Sequence, residues 1–193
     1  MPDIVMQALI KKSGLDIKND FKLQYVATPV DAMQMLILRR ADHALLAEPA
    51  ISIALRKTGS FPVKLIAPDL YRSINLQEEW GRLYKIEAKI PQAGLAIIGD
   101  TNGKEELISK VLAEYDKSLA WYKNNKEEAS KLVVKTLPML EEKGLADSIE
   151  HVRFENISAI KSKKDLEFFF DILMQNDSKL IGGKLPNEDF YYK

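Results

Sequence analysis

The chain has 193 residues, 28 of them basic and 28 acidic, so its formal net charge is zero. A balanced charge excludes a general polyanion-binding surface, and we therefore expect no nucleic-acid partner. The absence of cysteine excludes disulfides, thiolate metal sites and a cysteine nucleophile. The apolar runs are far shorter than the roughly 20 residues of a membrane helix, and the first residues lack the pattern of a secretion signal.

The first half of the chain alternates between two kinds of sequence pattern. Apolar residues at helical spacing, with proline at helix starts and glycine at helix ends, predict helices at residues 2–12, 29–40, 49–57 and 76–84. Alternating or short apolar runs predict strands at residues 21–27, 43–47, 63–67 and 91–98. Strand and helix in alternation are typical of a parallel sheet with helical crossovers.

The second half of the chain is predicted to be almost entirely helical. A long amphipathic helix carries residues 108–122, and further helices are expected at residues 126–137, 140–149 and 162–175. Each of these helices has an apolar face, which needs a partner layer. The only strand predicted nearby is the one that ends at Ile98, so these helices outnumber the strands available to them.

Residues 37–50 hold the most informative pattern, which predicts a helix end, a tight turn, a short buried strand and a new helix opened by Glu48 and Pro49. This places Glu48 at the carboxyl end of a strand, the edge where open α/β sheets bind ligands. Glu48 can accept a hydrogen bond from a ligand amine, or it is a solvated acid favoured by the helix dipole. Thr28 is interpreted first as a helix cap and second as a ligand contact.

Two segments resemble one family. Residues 37–50 resemble the "G-x-x-D-A-x-x-x-x-E-P" segment of solute-binding proteins that feed ABC transporters, the group that handles nitrate, sulfonates and thiamine precursors. Residues 181–192 are similar to the "G-G-K-x-P-D-x-x-F-Y" ending of that group. The resemblance implies an α/β fold like the type 2 periplasmic-binding proteins, with two lobes whose parallel-rich sheets are flanked by helices. It also accounts for the mostly helical C-terminal half.

The resemblance assigns residues 1–90 to a complete lobe two and residues 91–193 to the C-terminal part of lobe one. The N-terminal half of lobe one would then be missing, so we expect a chain truncated at its N-terminus. A ligand cleft would be bordered by Pro2, Asp3, Glu48 and Pro49, with Thr28 as a further candidate. Gln92 would lie in the hinge or line the cleft, the alternative being a surface glutamine.

The function implied by the resemblance is that of a non-catalytic receptor. A small organic anion or a heteroaromatic vitamin precursor would bind between the lobes, close the hinge and allow docking on an ABC permease. Such a protein would be monomeric and periplasmic, or anchored outside the cytoplasm, and would need no cofactor. The alternatives are an enzyme on the same fold, with thiamine-pyrimidine or chorismate-related chemistry, and the effector domain of a transcription regulator.

Few residues point to other chemistry. His43 and His151 are isolated from other ligating residues at a suitable spacing, so we expect no metal site. Four aromatic residues are candidates for stacking on an aromatic ligand, namely Tyr71, Trp80, Tyr84 and Trp121.

Overall fold

The computed structural model describes residues 2–192, and every regular element in this range is a helix. The α-helices are α1 (Pro2–Lys12), α2 (Pro29–Ile37), α3 (Ala50–Gly59), α4 (Leu76–Tyr84), α5 (Glu105–Asn124), α6 (Lys126–Thr136), α7 (Glu142–Ser148) and α8 (Ala159–Asn176). Short 3₁₀ helices cover Val63–Leu65, Ile149–His151, Ser178–Ile181 and Glu188–Phe190. Each α-helix lies close to a predicted one, so the helix predictions are confirmed.

The predicted α/β fold is wrong, because residues 2–192 contain no strand and therefore no sheet. Three predicted strands, at residues 21–27, 43–47 and 91–98, are irregular, and the fourth contains the 3₁₀ helix Val63–Leu65. A strand needs a neighbouring strand for its amide groups and a covering layer for its apolar side chains. None of these segments has a neighbouring strand, and Tyr25 is 69% and Ile98 is 95% exposed.

The chain divides into two compact units. Unit 1 contains residues 2–24, Ser73–Ala96 and 156–192, and unit 2 contains Tyr25–Arg72 and Ile97–Glu155. The chain therefore passes from one unit to the other four times. The predicted assignment of residues 1–90 and 91–193 to two lobes stays a prediction.

Unit 1 is built around the aromatic face of α4. Trp80 is only 1% exposed, and its ring lies 4.7 Å from that of Tyr84 and 5.7 Å from that of Phe168, between centroids. Burial raises the pKa of Tyr84. Helices α1 and α8 add buried apolar residues to this cluster, namely Val5, Leu9, Phe169, Ile172 and Leu173.

Unit 2 is a set of packed helices in which α3 contacts α2 and α7, and α6 contacts α5 and α7. The helices α3 and α7 approach closely at Gly144. A Cβ atom built on Gly144 would lie 2.8 Å from Cγ1 of Ile53 and 2.9 Å from its Cα, distances that real Cβ atoms do not adopt. The absence of a side chain at Gly144 therefore sets the spacing between α3 and α7.

No helix within residues 2–192 combines the length and the apolar character that crossing a bilayer requires.

We expect Gly144→Ala to lower the free energy of unfolding by about 1–3 kcal/mol, because the added methyl group overpacks the contact with Ile53. Gly59→Ala is the matched control, since Gly59 lies in α3 with open space around its Cβ position. It should be neutral or stabilising by up to about 1 kcal/mol. Urea unfolding followed by tryptophan fluorescence measures both. Equal effects of the two substitutions would show that α3 and α7 are not in close contact.

Candidate functional site

Unit 2 contains an open pocket of about 440 Å³, which lies within the size range of small-molecule sites. One wall is the polar face of α3, with Ser52 and Arg56, which are four residues apart and therefore on one side of the helix. The other wall comes from Asp147 in α7 and from Glu150 and His151 in the following 3₁₀ helix. Ser60 and Arg72 also line this pocket, which we call the α3–α7 pocket.

Glu48 holds two parts of the pocket together. One carboxylate oxygen, Oε2, accepts a hydrogen bond from the backbone N–H of Ser52 at 3.1 Å. The other, Oε1, accepts one from Nη2 of Arg72 at 2.6 Å. The Glu48 side chain is 9% exposed, so its charge needs partners that replace water. The free N-terminal amide of α3 and the guanidinium of Arg72 are those partners.

Arg72 contacts the protein through a single nitrogen. Its Nη2 donates to Glu48 and also to Oγ of Ser52 at 2.8 Å. Within residues 2–192, its Nε and Nη1 make no hydrogen bond. The Arg72 side chain is 36% exposed, so part of it is open to solvent or to a ligand. A guanidinium fixed on one side and open on another is suited to bind a carboxylate or a similar anion.

Arg56 is engaged differently. Its Nε donates to Oδ2 of Asp147 at 2.9 Å, and its Nη2 donates to Oδ1 at 3.2 Å. This two-point pair raises the pKa of Arg56, mainly through the hydrogen bonding to Asp147. Both side chains are well exposed, so the pair adds little stability. It does fix the orientation of two charged groups that face each other across the pocket.

A second ion pair, between Lys126 and Glu150, joins α6 to the 3₁₀ helix Ile149–His151. The hydrogen bond from Lys126 lowers the pKa of Glu150 and raises that of Lys126. Glu150 is therefore an anion at neutral pH. Together with the Arg56–Asp147 pair, it gives the α3–α7 pocket a balanced set of fixed charges, in which Arg72 keeps free hydrogen-bond donors.

Three of the predicted site residues lie in unit 2. Glu48 contacts the pocket residues Ser52 and Arg72, and Pro49 forms the N-cap of α3. The predicted cap role of Thr28 is confirmed, since its side chain accepts the N–H of Asp31 at the start of α2 and Asp31 accepts the N–H of Thr28 in return.

The other three predicted site residues lie in unit 1. Pro2 and Asp3 begin α1, and Asp3 accepts a hydrogen bond from Gln7 at 2.8 Å. Gln92 is exposed on the irregular stretch that follows α4. A ligand-binding role for any of the six residues stays a prediction.

The sequence interpretation missed Arg72, Ser52 and Arg56. Ser52 and Arg56 carried a usable signal, because polar residues four apart on a helix share one face. Arg72 carried none, since it lies in an irregular stretch and reaches Glu48, 24 residues earlier, only through the fold. His151 lines the α3–α7 pocket, and no group of three metal-ligating side chains occurs in the described part of the chain.

The chain matches no protein-family model, and comparison with curated proteins and with solved structures likewise found no match. The family resemblance therefore stays a prediction, and the α3–α7 pocket becomes the main basis for assigning a function.

We expect the pKa of Glu150 to lie below its ordinary value and to rise toward it in Lys126→Gln, because the hydrogen bond from Lys126 stabilises the carboxylate. Since the folded pKa is lowered, the pair stabilises the protein at pH values above the ordinary carboxyl pKa, and this contribution is lost as the pH falls through the lowered pKa. Carboxyl-detected NMR titration measures the shift. Lys131→Gln, an exposed change on the same helix, is the control. An unchanged Glu150 pKa in Lys126→Gln would contradict the pairing.

Proposed function

We propose that this chain is a non-catalytic binding protein for a small organic anion, and that it delivers this solute to an ABC importer. The single observation that carries the proposal is the way Arg72 is held in the pocket with hydrogen-bond donors left over. It lines a pocket of suitable volume, it is fixed by Glu48, and two of its nitrogens have no hydrogen-bond partner within residues 2–192.

The way Arg72 is held supports anion binding. The strong, short bond to Glu48 removes much of the rotational freedom of the long arginine side chain before a ligand arrives. A preorganised side chain loses less entropy on binding, so more of the interaction energy appears as affinity. Ser52 lines the same α3–α7 pocket, and its hydroxyl, which accepts from Arg72, keeps its own O–H as a donor for a further oxygen atom of the ligand.

The charges around the pocket favour binding over catalysis. Asp147 and Glu150 are each occupied in an ion pair, with Arg56 and Lys126 respectively. The hydrogen bond from Lys126 lowers the pKa of Glu150, which makes this carboxylate a weak proton acceptor at neutral pH. These carboxylates therefore fit a structural role, and they would repel an anion that approached from their side of the pocket.

The importer part of the proposal comes from the sequence. The segments at residues 37–50 and 181–192 resemble those of importer solute-binding proteins, and the first contains Glu48.

Isothermal titration calorimetry with benzoate tests the anion site, with benzylamine as a cationic probe of similar size. We expect benzoate to bind and benzylamine not to bind. Arg72→Gln should weaken benzoate binding by roughly 10- to 150-fold, because a hydrogen bond to a charged group contributes about 1.5–3 kcal/mol.

Arg82→Gln is the control, since Arg82 lies in unit 1 and is paired with Glu79. It should leave the affinity unchanged. Equal binding of benzoate and benzylamine, or no effect of Arg72→Gln, would refute the anion site. Chemical conversion of a bound organic anion by the purified protein would refute the non-catalytic role.

A further inference from the structure

The segment between two pocket residues, Ser60 and Arg72, has an unusual surface. It contains four large apolar side chains that are between 69% and 80% exposed, namely Phe61, Leu65, Ile66 and Tyr71. We call residues 61–71 the strap. Single exposed apolar residues are common on proteins, whereas four in such a short segment mark a place where an apolar partner binds.

The two arms of the strap are held differently. The first arm is a turn, in which the N–H of Lys64 donates to the carbonyl of Ser60 at 2.9 Å and the N–H of Ile66 donates to that of Val63 at 3.0 Å. This arm contains the 3₁₀ helix Val63–Leu65, which contacts α3. The strap is therefore anchored firmly at the Ser60 side of the pocket.

The second arm has no such anchor. Within the described part of the chain, no backbone group of residues 68–71 makes a hydrogen bond to another backbone group. The contacts that fix its end are those of the Arg72 side chain to Glu48 and Ser52. A backbone without internal hydrogen bonds changes its dihedral angles at low cost. The second arm is therefore held by fewer backbone interactions than the first arm.

We propose that the strap closes over the ligand of the α3–α7 pocket, and that the ligand is an amphipathic carboxylate. The carboxylate group binds Arg72, and an aromatic or branched hydrocarbon body is covered by the strap, chiefly by Phe61 and Tyr71. The apolar side chains of the strap and the body of the ligand leave water together, which is the driving force for closure. This inference rests on the proposed function and adds the class of ligand to it.

The chemistry of the pocket walls agrees with this division of roles. Among the residues that line the α3–α7 pocket, Leu55 is the only large apolar one, and the rest are glycine or carry polar or charged side chains. The pocket alone therefore recognises a polar head group but offers little apolar surface to a hydrocarbon body. The strap, attached at both ends to pocket residues, has the apolar surface that the pocket lacks.

The test compares benzoate with acetate, two carboxylates that differ in the apolar body. We expect calorimetry to show that benzoate binds the natural chain at least roughly tenfold more tightly than acetate, because the ring is removed from water. In the double variant Phe61→Ser, Tyr71→Ser this preference should fall to about twofold, with acetate affinity unchanged. Met139→Ser, which removes an exposed apolar side chain elsewhere in unit 2, should keep the full preference.

Hydrogen–deuterium exchange gives an independent measure of closure. We expect amides in residues 61–71 to exchange more slowly with benzoate bound and to change little with acetate bound. Suppose that benzoate binds through Arg72, that it does not slow exchange in the strap, and that the double variant keeps the full preference for benzoate over acetate. The strap proposal is then overturned and the anion site stands. If neither carboxylate binds, the proposed function and the strap proposal are both overturned.

Discussion

The site depends on one side chain, Glu48, whose two carboxylate oxygens bind different parts of unit 2. One oxygen accepts a hydrogen bond from a backbone N–H at the start of α3, and the other accepts one from the guanidinium of Arg72. A carboxylate with so little exposure is stable only with such partners. Because each oxygen has its own partner, the position of Arg72 is tied to the position of α3. The α3 wall of the pocket and Arg72 are therefore positioned together.

The other wall of the α3–α7 pocket is placed by packing and by charge. The close approach at Gly144 sets the distance between the helices, and the Arg56–Asp147 and Lys126–Glu150 pairs fix the orientation of the charged groups. Arg72 leaves Nε and Nη1 without a hydrogen-bond partner within residues 2–192, whereas Arg56 leaves only Nη1 in this way. In the proposed function Arg72 binds the anion, and the two ion pairs hold the pocket in shape.

The sequence predicted the helices well because their signals are local. These signals are the cap at Thr28, the prolines at helix starts and the apolar stripes. Each acts within a few residues and does not depend on the tertiary fold. The strands were predicted wrongly because a strand depends on a partner that can lie anywhere in the chain. Residues 21–27 alternate as a strand does, yet they remain exposed and form no strand. The candidate site was predicted only in part, because some of its features have local signals and others depend on distant residues. Glu48 follows from its place before a helix, whereas its contact with Arg72 follows only from the fold.

The most direct test of the account is the side-chain NMR signal of the arginine Nε–H groups during a titration with benzoate. The Nε of Arg56 and that of Arg82 already donate to carboxylates, those of Asp147 and Glu79. We predict a large, saturable chemical-shift change of the Arg72 Nε–H signal and smaller changes at Arg56 and Arg82. A saturating titration in which the Arg72 signal stays in place while another arginine responds would show that the anion is bound elsewhere.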